Sequence, residues 1–213
     1  MDPREAREKA VRDAKAGLIL DAALKVFAQS GYHSTRLEDI AGAAGFSKAS
    51  LYNYYDSKEA IFLCLAIREY ERLCEKLGAR LDPRKPLVAN IEVILRTVFE
   101  LFGEHFALLL EISDVRAMSG LQLESLAKQH DALMMDFRHW VREMQDLFVT
   151  ILSAARERGE LESPLDDEVL AAYIGAQLRG VLFDWKIAGR KGDIDTSVRQ
   201  ALEFVLHGVR GKG

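Results

Sequence analysis

The chain has 213 residues, 49% hydrophobic and 29% charged, the balance of a folded globular protein with a real core, which excludes a disordered or fibrous chain. The net charge of −4 is unevenly placed: residues 1–60 carry nine Lys/Arg and nine Asp/Glu, the rest twenty and twenty-four, so any affinity of the first part for a polyanion must come from a few placed contacts. Dense charge over residues 2–16, and no apolar run near the ~20 residues that cross a bilayer, lead us to expect neither signal peptide nor membrane anchor, and a cytoplasmic location.

Residues 3–16 alternate charge sign with few apolar side chains, which suits a solvated extension of the first helix or a frayed arm. Arg4, Arg7, Lys9, Arg12 and Lys15 would be available to an adjacent minor groove, although the interleaved acids argue against it. The helix proper carries Leu18, Ile19, Ala22, Ala23, Val26 and Phe27 on one stripe and stops at Ser30-Gly31. Thr35 and Glu38 have capping-box spacing, so a second helix is expected from Arg36, with Leu37, Ile40, Ala41 and Ala44 on one face and Gly45 at its end. After a turn at Gly45-Phe46, Ser47 caps a third helix that runs through Ala49, Ser50, Leu51 and Tyr52. Two short helices joined this way form a helix-turn-helix, and the second would offer Ser47, Lys48, Ser50, Tyr52 and Asn53 to a partner. A helical corner inside an ordinary bundle has the same bare pattern.

The particular residues go further. Ile40-Ala41 before the turn, Ala44-Gly45 at it, Ser47 in the cap, Leu51-Tyr52 in the recognition helix, and Tyr54-Tyr55 followed by Ser57-Lys58-Glu59 closely resemble the DNA-binding signature of the tetracycline-repressor (TetR) family of bacterial transcriptional regulators. The match runs over roughly residues 18 to 65. Ala49 stands where glycine is frequent in that family and Tyr55 where phenylalanine is usual. The resemblance implies an all-α protein with a DNA-binding domain over residues 1–62 and an effector-binding and dimerisation domain over 63–213. On the reading surface we expect Thr35, Arg36, Ser47, Lys48, Ala49, Ser50, Tyr52, Asn53, Tyr54 and Lys58, with Tyr52, Tyr54 and Lys58 on phosphates and Ser47, Lys48, Ser50 and Asn53 nearer base edges.

A long helix is expected from Lys58 to about Ala79, with Ile61, Phe62, Leu65, Ala66, Cys74 and Leu77 interior, before a break at Leu81–Pro86. Its two cysteines, the only ones in the chain, stand ten residues apart, ~15 Å along a helix axis, too far to bridge; they read as buried reduced thiols. Further helices are expected over 87–103, 105–118, 121–158, about 166–188 and 195–207, the third with an apolar seam of Leu126, His130, Leu133, Phe137, Trp140, Met144, Leu147 and Ile151. No strand pattern or repeat interrupts this helical reading.

The middle helices hold more large, flexible apolar residues than a thin bundle needs, and Met with aromatic residues lines adaptable pockets. Phe102, His105, Phe106, Met118, His130, Leu133, Met134, Phe137, Trp140 and Met144 are therefore candidates for an effector site, although any one of them reads first as plain core. By the resemblance, that site lies between the helix from Lys58 and those of 87–158, its occupant is a small, largely apolar, aromatic or acyl-bearing molecule, and occupancy releases DNA. Ala172, Gly175, Ala176 and Gly180 form a small-residue face, and Val198, Leu202 and Val205 follow on the last helix; in the family two such helices pair across a two-fold axis, so a homodimer reading a palindrome in double-stranded DNA is expected.

No nucleophile elbow, phosphate loop, dinucleotide fingerprint or zinc-ligand spacing is found, so neither catalysis nor a cofactor or metal is expected. His139 with Asp136 and Glu143, and His130 with Met134, lie close on one helix, yet no second ligand pair converges on them in sequence, and they read as solvated or hydrogen-bonded. Two function classes remain, a one-component transcriptional regulator and a helical interaction or scaffold protein in which the helix-turn-helix only packs.

Overall fold

A computed structural model describes residues 2–115, 129–187 and 193–208, the main chain alone over 102–115 and 183–187. Among the described residues every regular element is a helix: α1 (Pro3–Ser30), α2 (Leu37–Ala44), α3 (Lys48–Leu51), α4 (Lys58–Arg80), α5 (Leu87–Val115), α6 (Asp131–Glu157), α7 (Asp167–Ile187) and α8 (Ile194–His207). They gather into two compact units, residues 1–68 with the described part of 105–137, and residues 69–104 with the described part of 138–213. Thus α4 contributes Lys58–Arg68 to the first unit and Glu69–Arg80 to the second. None of the described helices is long and apolar enough to cross a membrane.

In the first unit, residues 3–16 are helical, the first of the two alternatives. Asp2 caps them, accepting from the Arg4 amide at 3.0 Å while Glu5 accepts from the Asp2 amide at 3.3 Å. The buried stripe of α1 is Ile19, Leu20, Ala22, Ala23, Leu24 and Phe27, whereas Leu18, expected inside, is 57% exposed. The stripe is wider than one face because α1 packs on α2 and also meets α4, the Phe27 and Phe62 rings lying edge to face at 6.0 Å. Gly31, at φ 76°, ends α1 and its amide donates to the Phe27 carbonyl at 2.8 Å.

Helix α2 begins one residue later than expected, and its cap differs. Thr35 is 3% exposed and its hydroxyl donates to the Gly31 carbonyl at 2.7 Å, so the Thr35/Glu38 box does not form. Arg36 rather than Thr35 holds the N-cap position, which puts Asp39 and not Glu38 three residues on. Asp39 instead accepts from the Arg36 amide at 2.9 Å. In α4 all six expected interior residues are buried, Ile61, Leu65 and Leu77 completely.

In the second unit, Asn90 is 1% exposed and staples the Leu81–Pro86 break, accepting from the Asp82 amide at 3.1 Å and donating to the Asp82 and Lys85 carbonyls at 2.9 and 3.2 Å. Helix α5 continues through Gly103, where a break was expected, because a lone helical glycine costs only ~1 kcal/mol against alanine and a helix of 29 residues absorbs it. Helix α6 runs from Asp131, His130 before it not being helical; residues 116–128, with the expected start at Leu121 and Leu126 of the expected seam, lie outside the described residues. Arg156 clamps the α6–α7 loop, donating to the Ser163 and Leu165 carbonyls and to Asp167. Asp193, not Asp195, caps α8, accepting from the Asp195 amide at 3.1 Å and from the Thr196 hydroxyl at 2.8 Å. Both cysteines are free thiols, Cys74 buried but Cys64, also expected inside, only partly so, and burial first, then nearby carboxylates, pushes Cys64 and Cys74 up to about 11.

Candidate nucleic-acid interface

The turn between α2 and α3 rests on Gly45, at φ 74° and ψ 25°, a left-handed conformation that any side chain resists. Its amide donates to the Gly42 carbonyl at 3.2 Å and the Phe46 amide to the Ala41 carbonyl at 2.8 Å, which closes the helix end and turns the chain. Ser47 then caps α3, its hydroxyl accepting from the Ser50 amide at 3.1 Å and lying 2.8 Å from the Ser50 hydroxyl. Only Leu51 of this short helix is buried, at 0% exposure, so one side chain plugs the element into the core and the rest faces out. Beyond Leu51 the backbone stays coiled through tight turns, the Asn53 amide reaching the Ser50 carbonyl and the Tyr54 amide the Leu51 carbonyl.

The outward surface holds Arg36, Ser47, Lys48, Ala49, Tyr52 and Asn53, all exposed, with Ser50 and Tyr54 partly so. Tyr54 is steadied edge-on by Phe46, ring centroids 5.9 Å apart. Lys48 forms an ion pair with Glu38 at 2.6 Å, about half of each side chain being exposed. That bond holds Glu38 below the usual carboxylate range and raises Lys48.

Two expected members are placed differently. Thr35 lies in the interior and serves the α1–α2 loop, as described above. Lys58 is half-buried, its ammonium donating to the Tyr32 carbonyl at 2.8 Å and the Thr35 carbonyl at 3.0 Å while lying 4.4 Å from the centre of the Tyr32 ring. Two of its three donors thereby fasten the loop before α2 to the start of α4. Tyr32 completes the knot through a 3.0 Å bond to Glu59. This bracing was not visible in the sequence, where Lys58 read as a cap residue or a phosphate contact.

Of the candidate effector residues, Phe102, His105 and Phe106 are described by main chain only, and Met118 lies outside the described residues. Met134 and Phe137 are buried at 5% and 6%, while Leu133, Trp140 and Met144 are partly exposed. His130, Leu133, Met134 and Phe137 belong to the same compact unit as the helix-turn-helix. Within it, His130 Nε2 lies 3.2 Å from the Ser57 hydroxyl, which also accepts from the Ala60 amide and so caps α4 one residue before Lys58. Trp140 and Met144 belong to the other unit, where the Trp140 carbonyl accepts from the Cys74 thiol. His139 lies 3.9 Å from Glu143 on an exposed helix face, and no group of three or more metal-ligating side chains converges among the described residues.

On the candidate dimer face, Ala172, Ala176 and Gly180 of α7 are exposed and Gly175 partly so, flanked by Val169 and by Tyr173, which is 63% exposed. A side chain at Gly180 would meet nothing within 4 Å, and one at Gly175 only the Arg179 guanidinium at 3.7 Å. On α8, Leu202 and Val205 are partly exposed and Phe204 half-exposed, whereas Val198, at 2%, belongs to the protomer's own core where α7 meets α8.

Residues 19–65 match the bacterial regulatory proteins of the tetR family. The whole chain is similar to the HTH-type transcriptional repressor KstR2 of Rhodococcus jostii (strain RHA1), 25% identical over 98% of both chains. Its fold is that of FadR from Bacillus subtilis, in complex with stearoyl-CoA, with a TM-score of 0.73 at 19% identity over 91% of this chain and 98% of that one. It is equally that of Thermus thermophilus FadR in complex with lauroyl-CoA, TM-score 0.63 at 21% identity over 93% and 96%.

Proposed function

We propose that the chain is a transcriptional regulator of the tetR family, that it represses as a homodimer reading a palindromic operator through α3, and that it releases the operator when an acyl-bearing effector binds the helical part of the chain after residue 62. The observation that carries the reading is the helix-turn-helix itself, in which Leu51 alone is buried and Lys48, Ala49 and Asn53 stand exposed beside Ser47 and Ser50. Lys48 and Asn53 have the chemistry to donate to base edges in a major groove; Tyr52, Tyr54 and the third donor of Lys58 serve phosphates. The first 60 residues carry no net charge, so a single reading helix has little affinity of its own, and a second subunit one DNA turn away doubles the contacts.

The exposed α7 face with Tyr173, and the half-exposed Phe204 on α8, support pairing of these helices across a two-fold axis. The effector assignment is supported by two proteins of the same fold whose structures hold stearoyl-CoA and lauroyl-CoA. His130 supplies a route to the reading surface, since it touches the cap of α4, and α4 begins with the Lys58 brace. Regulation requires the effector to favour one arrangement over the other by a coupling of about 1–3 kcal/mol.

The experiment is selection of bound fragments from random double-stranded DNA by the intact protein, followed by titration of the recovered duplex against acyl-CoA thioesters of increasing chain length. Recovery of an inverted repeat that acyl-CoA displaces supports the whole reading. Recovery of no sequence preference at any salt concentration defeats it, and a palindrome indifferent to every thioester defeats the effector assignment alone.

A further inference from the structure

The first four turns of α1 have no buried face. Residues 2–15 are exposed apart from Ala6, which is half-buried, and a helix polar all round is marginal without something to hold it. What holds it is the capping box at Asp2 and two ties to the end of the reading segment: the Arg12 guanidinium donates to the Asn53 carbonyl at 3.3 Å, and the Tyr55 hydroxyl to the Ala16 carbonyl at 3.3 Å. Between this extension and the reading segment lies a cleft of about 570 Å³, with Arg4, Arg7, Glu8 and Arg12 on one wall and Asn53 and Tyr54 on the other.

Charge that alternates along the sequence is sorted by the helix. Three guanidinium groups and one carboxylate line the cleft; Glu5 is spent on the cap, and Asp13 is not among the lining residues. An arginine fork matches the geometry of a phosphodiester. The other wall, Asn53 and Tyr54, is the edge of the surface proposed above to lie on DNA, so the cleft continues that surface outward. We propose that Arg4 and Arg7 grip the phosphate backbone of duplex DNA flanking each half-site, extending the footprint beyond the base pairs that α3 reads. Thirteen helical steps from Pro3 to Ala16 span roughly 20 Å, the length of about six base pairs.

This inference rests on the DNA reading proposed above, and the test separates the two. The probe is the duplex recovered by selection, either trimmed to its half-sites or extended by about six base pairs on each side. Binding of the intact protein and of an Arg4→Ala/Arg7→Ala variant is measured by fluorescence anisotropy across a salt series. Wild type should bind the extended duplex about tenfold more tightly than the trimmed one. The double variant should bind both alike, with a salt slope shallower by about 2 to 4 for a dimer, since each phosphate contact contributes roughly 0.9. Alanine favours helix, and an unchanged melting curve excludes a folding defect. Arg4→Lys/Arg7→Lys, which keeps the charge, should recover most of the flank dependence. Identical affinities and slopes for wild type and the alanine variant on both duplexes would overturn the cleft assignment while leaving operator reading intact. Failure of wild type on both duplexes removes operator reading itself, and this inference with it.

Discussion

Two glycines three residues apart should respond to alanine in opposite directions. Gly42 lies inside α2 and is exposed, and a methyl built on it meets nothing within 4 Å. Gly42→Ala therefore adds no clash and removes backbone freedom from the unfolded chain, a stabilisation of about 0.5–1 kcal/mol. Gly45 also has open space around its missing side chain, but its φ of 74° is the left-handed region. Gly45→Ala consequently suffers torsional strain alone, about 1–2 kcal/mol, with no packing term to confuse it. Each kcal/mol of local stability changes amide protection about fivefold, so hydrogen exchange over α2 and α3 should slow roughly two- to fivefold in the first variant. In the second it should quicken by about fivefold or more. Gly45→Asn should fall between, because asparagine tolerates the left-handed region better than alanine. Operator affinity should follow the Gly45 series downward, since the turn sets the angle at which α3 leaves α2. Equal signs for the two alanine variants would refute the assignment of Gly45 as the conformational hinge of the motif.

Other outcomes are equally specific. Glu38→Gln should strengthen DNA binding a few-fold, because it frees Lys48 from its exposed ion pair and removes a negative charge from the reading face; anisotropy titration checks this, and weaker binding would contradict it. Lys58→Met removes a charged donor from two carbonyls, a loss of about 2 kcal/mol visible in urea melts, and should weaken all DNA sequences alike, whereas Asn53→Ala should shift preference at particular base positions. Gly175→Arg and Gly180→Arg fit the isolated protomer, so a fall in sedimentation mass with unchanged far-UV circular dichroism is expected; a stable dimer in both would move the interface off α7. Asp167 is held below the usual carboxylate range first by its bond from Ser153 and then by Arg156, so its contribution to stability is present above the ordinary carboxylate pKa and lost as pH falls through the lowered one. Asp167→Asn should flatten that acid limb of the stability profile.

The elements legible in sequence were those governed by a local period. The interior of α4 could be read because six apolar residues at three- and four-residue spacing need no knowledge of their partners. The same holds for Ser47, whose cap is closed by an amide three residues away. What escaped the sequence depended on where distant segments cross. Thr35 had the right spacing for a cap and gave its hydroxyl to Gly31 instead, across a loop whose shape no spacing records. Lys58 meets carbonyls 23 and 26 residues earlier in the chain, and Arg12 meets one 41 residues later. Leu18 was misplaced because the buried arc of α1 is centred near Ala23 and Phe27 and extends toward Leu20 and Leu24, away from position 18. The sorting of Arg4, Arg7 and Arg12 into one cleft needs the direction in which α1 passes the end of α3, and alternating charge along a line cannot reveal it.

The economy with which α3 is attached bears on how such a protein changes over generations. Stability asks for Leu51 and a capping hydroxyl at Ser47, while Ala49 and Asn53 project from the surface with side chains that brace nothing else among the described residues. Lys48 is tied only to a solvated carboxylate. Mutations at these positions can alter which operator is recognised while leaving the scaffold standing, so a duplicated copy of the gene can drift to a new target by single steps without passing through an unfolded ancestor. The Lys58 brace is the opposite case: a change there disturbs the fold together with the contact, and selection sees both at once.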